Sequence, residues 1–207
     1  TKMNLNIKIF NNDLPSDIDL SKEEIIMVDC EALGLETKRD PLTLVQIATK
    51  NKDCYIIKLN RANYDCPNLV KIFSSDTTFV FHYARQDLAW INYYLKVEIK
   101  NVWCSKIASK IVRTFSSNHG YKDLVKELCG KDISKKEQTS DWGDPNLTEK
   151  QIKYAAQDTE YLFEIKEKLS SMLVRENRMD LFNQSIKFLP TIVKLDLAGY
   201  KMTIYEH

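Results

Sequence analysis

The spacing of apolar residues changes part-way along the chain, from a two-residue to a three-to-four-residue period. MNLNIKIF (residues 3–10) alternates polar and apolar side chains, as a half-buried strand does, and NNDLPSD breaks it. EIIMVDCE (24–31) predicts a buried strand, and TLVQIAT (43–49) and DCYIIKL (53–59) predict two more across the turn-rich KNKD. These three form a meander. CPNLVKIFSSD (66–76) has the spacing of a short helix, TTFVFHYA (77–84) of a strand, RQDLAWINYYLK (85–96) of a helix and NVWC (101–104) of a last short strand.

From SKIASKIVRTF (105–115) onward the pattern is helical. GYKDLVKELCG is an amphipathic helix with Gly130 as its C-cap. LTEKQIKYAAQDTEYLFEIKEKLSSMLVREN (147–177) predicts one long helix with Thr148 as N-cap. The tail, 181–207, is too apolar for a free linker and is expected to pack on its own domain or on a neighbouring subunit. Strands first and helices later predict an α/β fold, a mixed sheet of five or six strands flanked by helices, with a helical C-terminal half.

Composition narrows the picture. At 207 residues and 43% apolar content, residues 1–207 suit one domain. Thirty basic against twenty-nine acidic residues leave a net charge of +1, which supplies no broad field for holding long nucleic acid. Five irregularly spaced cysteines without a CxxC pair argue against a disulfide framework and for a reducing, cytoplasmic setting. Neither a cleavable leader nor a run of eighteen apolar residues is present, so no membrane association is expected.

The chemistry concentrates where EIIMV runs into Asp29, Cys30 and Glu31. Alternation along a strand puts both acids on one face and Cys30 on the other. Tyr154 and Asp158, four apart in a helix, share a face one turn from each other. Asp87 falls just inside the helix after TTFVFHYA. Alone, Asp87 reads equally as a first-turn acid favoured by the helix dipole, and Asp158 as a solvated helix position. Acids ending an apolar strand are harder to explain without a partner, because buried charge must be paired or bind metal. Four such carboxylates suit two divalent cations, Mg²⁺ or Mn²⁺, roughly 3.5 to 4 Å apart, the arrangement that hydrolyses phosphodiesters. Tyr154 is placed to position or deprotonate the attacking water.

These motifs resemble the DEDD superfamily of 3'-5' exonucleases, in the tyrosine subtype that includes RNase D. Asp-x-Glu is DCE, the second-motif acid is Asp87, and Tyr-x-x-x-Asp is YAAQD. The histidine subtype needs a His five residues before the last Asp, where Lys153 stands. KKEQTSDW (135–142) is a further RNase D-like block. The resemblance implies a ribonuclease H-like (DnaQ-like exonuclease) fold, with Asp29, Glu31, Asp87 and Asp158 as metal ligands and Tyr154 as the fifth catalytic residue.

Stretches from NDLP through KIASKIVRT to FLPTIVKLDLAGY are similar to the compact bacterial nanoRNase C branch. That resemblance implies a diribonucleotidase finishing RNA decay on 5'-phosphorylated dinucleotides, assembled as a homo-octamer. It places Leu35, with Leu33, as an apolar wedge between two bases, though both also read as loop anchors in the core. It points to His82, Arg85, Lys136, Gln138 and Ser140 for the 5' phosphate; a core histidine and a solvated lysine are the alternatives for His82 and Lys136. Relatives more often carry Thr where Cys30 stands, and facing away from the metals it is expected to change no chemistry. SDWGDPNL is expected to lengthen or re-aim the loop before the last motif. The rivals are a broader RNase D-like exoribonuclease trimming RNA 3' ends, a DNA exonuclease, and a non-catalytic RNA-binding protein on the same fold.

Overall fold

A computed structural model describes residues 4–200 and 202–207; Met3 and Lys201, which fall in the expected first strand and tail, lie outside them. The alternating and apolar runs form β1 (Asn6–Asn11), β2 (Ile25–Ala32), β3 (Leu42–Ala48), β4 (Asp53–Lys58), β5 (Thr78–Phe81) and β6 (Asn101–Cys104). They make one mixed sheet in the order β1-β4-β3-β2-β5-β6. The expected meander is the antiparallel β2-β3-β4 centre, and β1, β5 and β6 add to it in parallel pairings.

Helices cover both faces. On one lie α1 (Pro67–Phe73), α2 (Ala84–Leu95) and the outer part of α7 (Met179–Leu197), packed on Val28, Val45, Ile47 and Ile57. On the other lie α3 (Ser105–Val112), α4 (Tyr121–Cys129), α5 (Glu149–Glu160) and α6 (Leu162–Arg175), over Met27, Leu44, Ala48 and Ile56. Cys66 gives α1 no side-chain cap; instead the Asp13 carboxylate, from the β1 exit, accepts the Asn68 and Leu69 amides at 2.9 Å. Gly130 closes α4 in the left-handed region at φ 65°, where a side chain is disfavoured.

One expectation changes. The long helix over 147–177 is two helices, broken at Tyr161. The Tyr121 hydroxyl enters the ladder there, donating to the Gln157 carbonyl at 2.6 Å and accepting from the Tyr161 amide at 3.2 Å. It replaces the direct bond those two groups make in an uninterrupted helix. Thr148 does cap α5, in a reciprocal box with Gln151. The tail packs on its own chain: Phe182, Leu189 and Val193 of α7 are buried, and Arg85 of α2 forms a bidentate ion pair with Asp196 at 2.6 Å.

Tyr121→Phe leaves two buried backbone groups without their partner and is expected to lower stability by about 1–3 kcal/mol, read from urea unfolding. A wild-type midpoint would show that α5 and α6 simply rejoin.

Candidate active site

β2 carries Asp29 and Glu31 out of the core on the face covered by α5, and a register shift follows between Glu31 and Ala32. α5 brings Asp158 across to them. Asp29, Glu31 and Asp158 each place a carboxylate oxygen within 4.8 Å of the others. Asp87, buried in the first turn of α2, is not in that set and closes the cleft from the opposite side of β2, next to Cys30. All four acids and Tyr154 line one cleft of about 590 Å³.

Burial, followed by mutual repulsion, sets the electrostatics. Asp29 is pushed up to about 7 by burial, and Glu31, Asp87 and Asp158 rise well above the usual carboxylate range by burial and by the charge of Asp29. Lys135 opposes this at Asp158. Burial and the Asp158 charge also hold the Tyr154 phenol well above its ordinary range. A desolvated, all-oxygen donor set of four carboxylates is the chemistry of a hard divalent-cation site. The four carboxylates fit such ions.

The loop after β2 forms the cleft's apolar rim. Leu35 is 78% and Leu33 44% exposed, so neither is a core anchor. The loop is braced from within: Asp40 accepts the Glu36 amide at 3.0 Å, and a Cβ on Gly34 would meet Asp40 Oδ2 at 2.2 Å, so a side chain there would displace the brace. Tyr94 of α2 donates to the Thr37 carbonyl at 2.6 Å. The SDWGDPNL loop closes against the same rim, where a Cβ on Gly143 would meet Leu33 Cδ2 at 2.8 Å.

The residues expected at the 5' phosphate separate. Gln138 and Ser140 line the cleft; Ser140 Oγ also donates to the Glu137 carbonyl at 2.6 Å. His82 lines it too, with Nδ1 at 2.8 Å from Ser105 Oγ, which donates to the Phe81 carbonyl at 3.2 Å. Satisfying both contacts puts the ring proton on Nδ1, and burial lowers His82 to about 3, so it is neutral and presents an acceptor. Arg85 is instead engaged by Asp196, and Lys136 is exposed and outside the cleft lining. The lysine that reaches the site is its neighbour Lys135, which with Lys106, Lys122 and Tyr121 lines an adjoining pocket of about 310 Å³ beside Asp29 and Asp158. The repeated lysine in KKEQ was the available sequence signal, and its side-chain direction was not. Cys30 also differs from expectation: it points away from Asp29 but lies beside Asp87, whose charge, with burial, pushes the thiol up.

Against this geometry, the 3'-5' exonuclease family matches residues 11–174. The chain belongs to that family. It is 32% identical over 161 residues to Ribonuclease D of Gluconacetobacter diazotrophicus, covering 78% of this chain and 41% of that protein. The exonuclease chain thus spans about two fifths of the length of that curated relative. Brucella melitensis NrnC with bound Mg²⁺ superposes with a TM-score of 0.92 at 36% identity, over 98% of this chain and 100% of that one. The same protein bound to pGG gives a TM-score of 0.93 at 36% identity over 98% and 99% of the two chains. The ribonuclease H-like exonuclease fold expected from the motifs is the fold of this chain.

The raised carboxylates predict how the protein behaves in chelator. A folded-state pKa above the unfolded value stabilises at low pH, and that contribution is lost as pH rises through the folded pKa, about 7 for Asp29. In EDTA the melting temperature should therefore fall as the pH rises towards and through about 7, whereas His82, lowered to about 3, contributes an opposing slope that ends once the unfolded imidazole is neutral, above about pH 7.5. Asp29→Asn should raise the melting temperature and flatten its pH slope; an unchanged slope in calorimetry would count against the electrostatic account.

Proposed function

We propose that this chain is a two-metal 3'-5' exoribonuclease whose main substrates are 5'-phosphorylated diribonucleotides, cleaved to nucleoside monophosphates. The observation that carries it is the convergence of the buried Asp87, the half-buried Asp29, Glu31 and Asp158, and Tyr154 beneath an exposed, braced Leu33–Leu35 rim. The Mg²⁺ and pGG complexes of the NrnC relative support both the metal and the short substrate.

Asp29, Glu31, Asp87 and Asp158 would hold two divalent cations, Mg²⁺ or Mn²⁺. When bound, these supply Lewis-acid activation of water and stabilisation of the leaving oxygen. Tyr154 hydrogen-bonds the attacking water and aims it at phosphorus; the bond from phosphorus to the 3' oxygen breaks, and that oxygen takes up a proton. Leu35 sits between the two bases and stops the substrate at a fixed depth. Gln138, Ser140 and the neutral His82 supply hydrogen-bonding groups around it, and Lys135 supplies positive charge. This assignment moves the cationic role from Arg85 and Lys136 to Lys135. The near-neutral chain charge suits a substrate with few phosphates.

The same reading carries a cytoplasmic homo-oligomer, octameric by family resemblance, with Leu181, Phe188, Tyr200 and Tyr205 as exposed apolar area. Among the described residues, no helix is long and apolar enough to cross a membrane.

Digestion of 5'-labelled RNAs of two to seven nucleotides with Mg²⁺ or Mn²⁺ tests the substrate. Prompt loss of the dinucleotide alone is expected, and equal rates on a twenty-nucleotide RNA would favour the broader RNase D-like activity. Asp158→Asn is expected to abolish cleavage with the fold intact, and retained activity would sink the metal mechanism. Leu35→Ala should raise KM for the dinucleotide several-fold while leaving the melting temperature unchanged, because that side chain contributes little to the core.

A further inference from the structure

β3 is buried at all seven positions, yet its centre carries an amide, Gln46, which is 0% exposed. Antiparallel pairing puts it directly opposite Asp29 on β2 and on the same sheet face. Its Nε2 lies 3.3 Å from Asp29 Oδ2 and 3.2 Å from the Ala155 carbonyl of α5. Both neighbours are acceptors, so the amide must turn its nitrogen to them, and its two hydrogens are then spent. Gln46 Oε1 is left without a hydrogen-bond partner among the described residues. An apolar side chain of the same shape would fill the slot with no orphaned oxygen.

We infer that Gln46 is a positioning residue for the nuclease reaction: one NH₂ group ties Asp29 to the α5 backbone between Tyr154 and Asp158, fixing the span across which the cations are held. The inference rests on the two-metal reading above. One Asp29 oxygen, Oδ2, accepts from the amide, which sets the carboxylate's rotation relative to Glu31 and Asp158. Ala155 directly follows Tyr154 and lies three residues before Asp158, so the second hydrogen sets how close α5 approaches β2. Gln46 is fully buried and lies outside the cleft lining. Outer hydrogen-bond partners of this kind orient ligating carboxylates and tune the affinity of the site.

The test compares wild type with Gln46→Met, nearly isosteric but without the donor. Thr49→Val is the control: Thr49 Oγ1 is also buried without a partner, at the end of β3, and makes no hydrogen bond to the carboxylates. Mn²⁺ binding is measured by calorimetry, and kcat and KM are measured on 5'-phosphorylated GG. Gln46→Met should keep the wild-type circular dichroism and melting transition, lose about 10- to 100-fold in Mn²⁺ affinity and in kcat, and leave KM unchanged. Thr49→Val should match wild type throughout.

Wild-type Mn²⁺ affinity and kcat in Gln46→Met would overturn the role of Gln46 while leaving the nuclease reading standing. A wild-type protein that neither binds Mn²⁺ nor cleaves would overturn both. If Gln46→Met does not fold, Gln46→Leu takes its place, and failure of both to fold would make the amide a structural tie and overturn the proposal.

Discussion

Mutual repulsion among four carboxylates in a desolvated cleft is the constraint around which this molecule is arranged. Asp29 is pushed above its ordinary range by burial, and Glu31, Asp87 and Asp158 by burial and by the charge of Asp29, so the chain holds them together at the expense of stability. The scaffold supplies the opposing rigidity. β2 is central in the sheet and paired on both sides, α5 begins at a reciprocal capping box, and α2 is clamped to α7 through Arg85 and Asp196. Strand, helix and helix thus deliver acids from three directions to one point, on elements that cannot retreat from the repulsion.

The cleft built on that point is chemically divided. One side is apolar and exposed, a loop carrying Leu33 and Leu35 that is held open by Asp40 from within and by Tyr94 from α2. The other is polar, with the neutral His82 and three lysines around Tyr121. Tyr121 belongs to both the fold and this wall: its hydroxyl ends α5 two residues after Asp158, and its ring stands 5.8 Å from His82. Breaking the helix there lets α5 face the cleft while α6 turns back to the core, with Leu162, Ile165, Leu169 and Leu173 fully buried.

Much of this was legible from local pattern. Alternation in the first strand and short apolar runs in the others located the six strands to within a few residues, and β2 follows EIIMVDCE. The four-residue spacing of Tyr154 and Asp158 placed both on one helical face, and both line the cleft. Less legible was what each polar group touches. The family resemblance points to Arg85 and Lys136 for the 5' phosphate, yet one is bound to Asp196, 111 residues away, and the other lies outside the cleft beside Lys135, which lines the adjoining pocket. Gln46 was hidden inside an apolar run, where only its polarity marked it.

By itself, then, the sequence determined the elements, the face on which each strand and helix acid stands, and membership of a 3'-5' exonuclease family, because strand and helix periods and motif spacing are short-range properties. The tertiary structure alone decided that Asp87 approaches from the far side of β2 next to Cys30, that Tyr121 divides the long helix, that His82 is neutral, and that Lys135 rather than Lys136 lines the pocket beside Asp158. Each of these depends on a contact between segments far apart in sequence, and on the desolvation that such a contact brings.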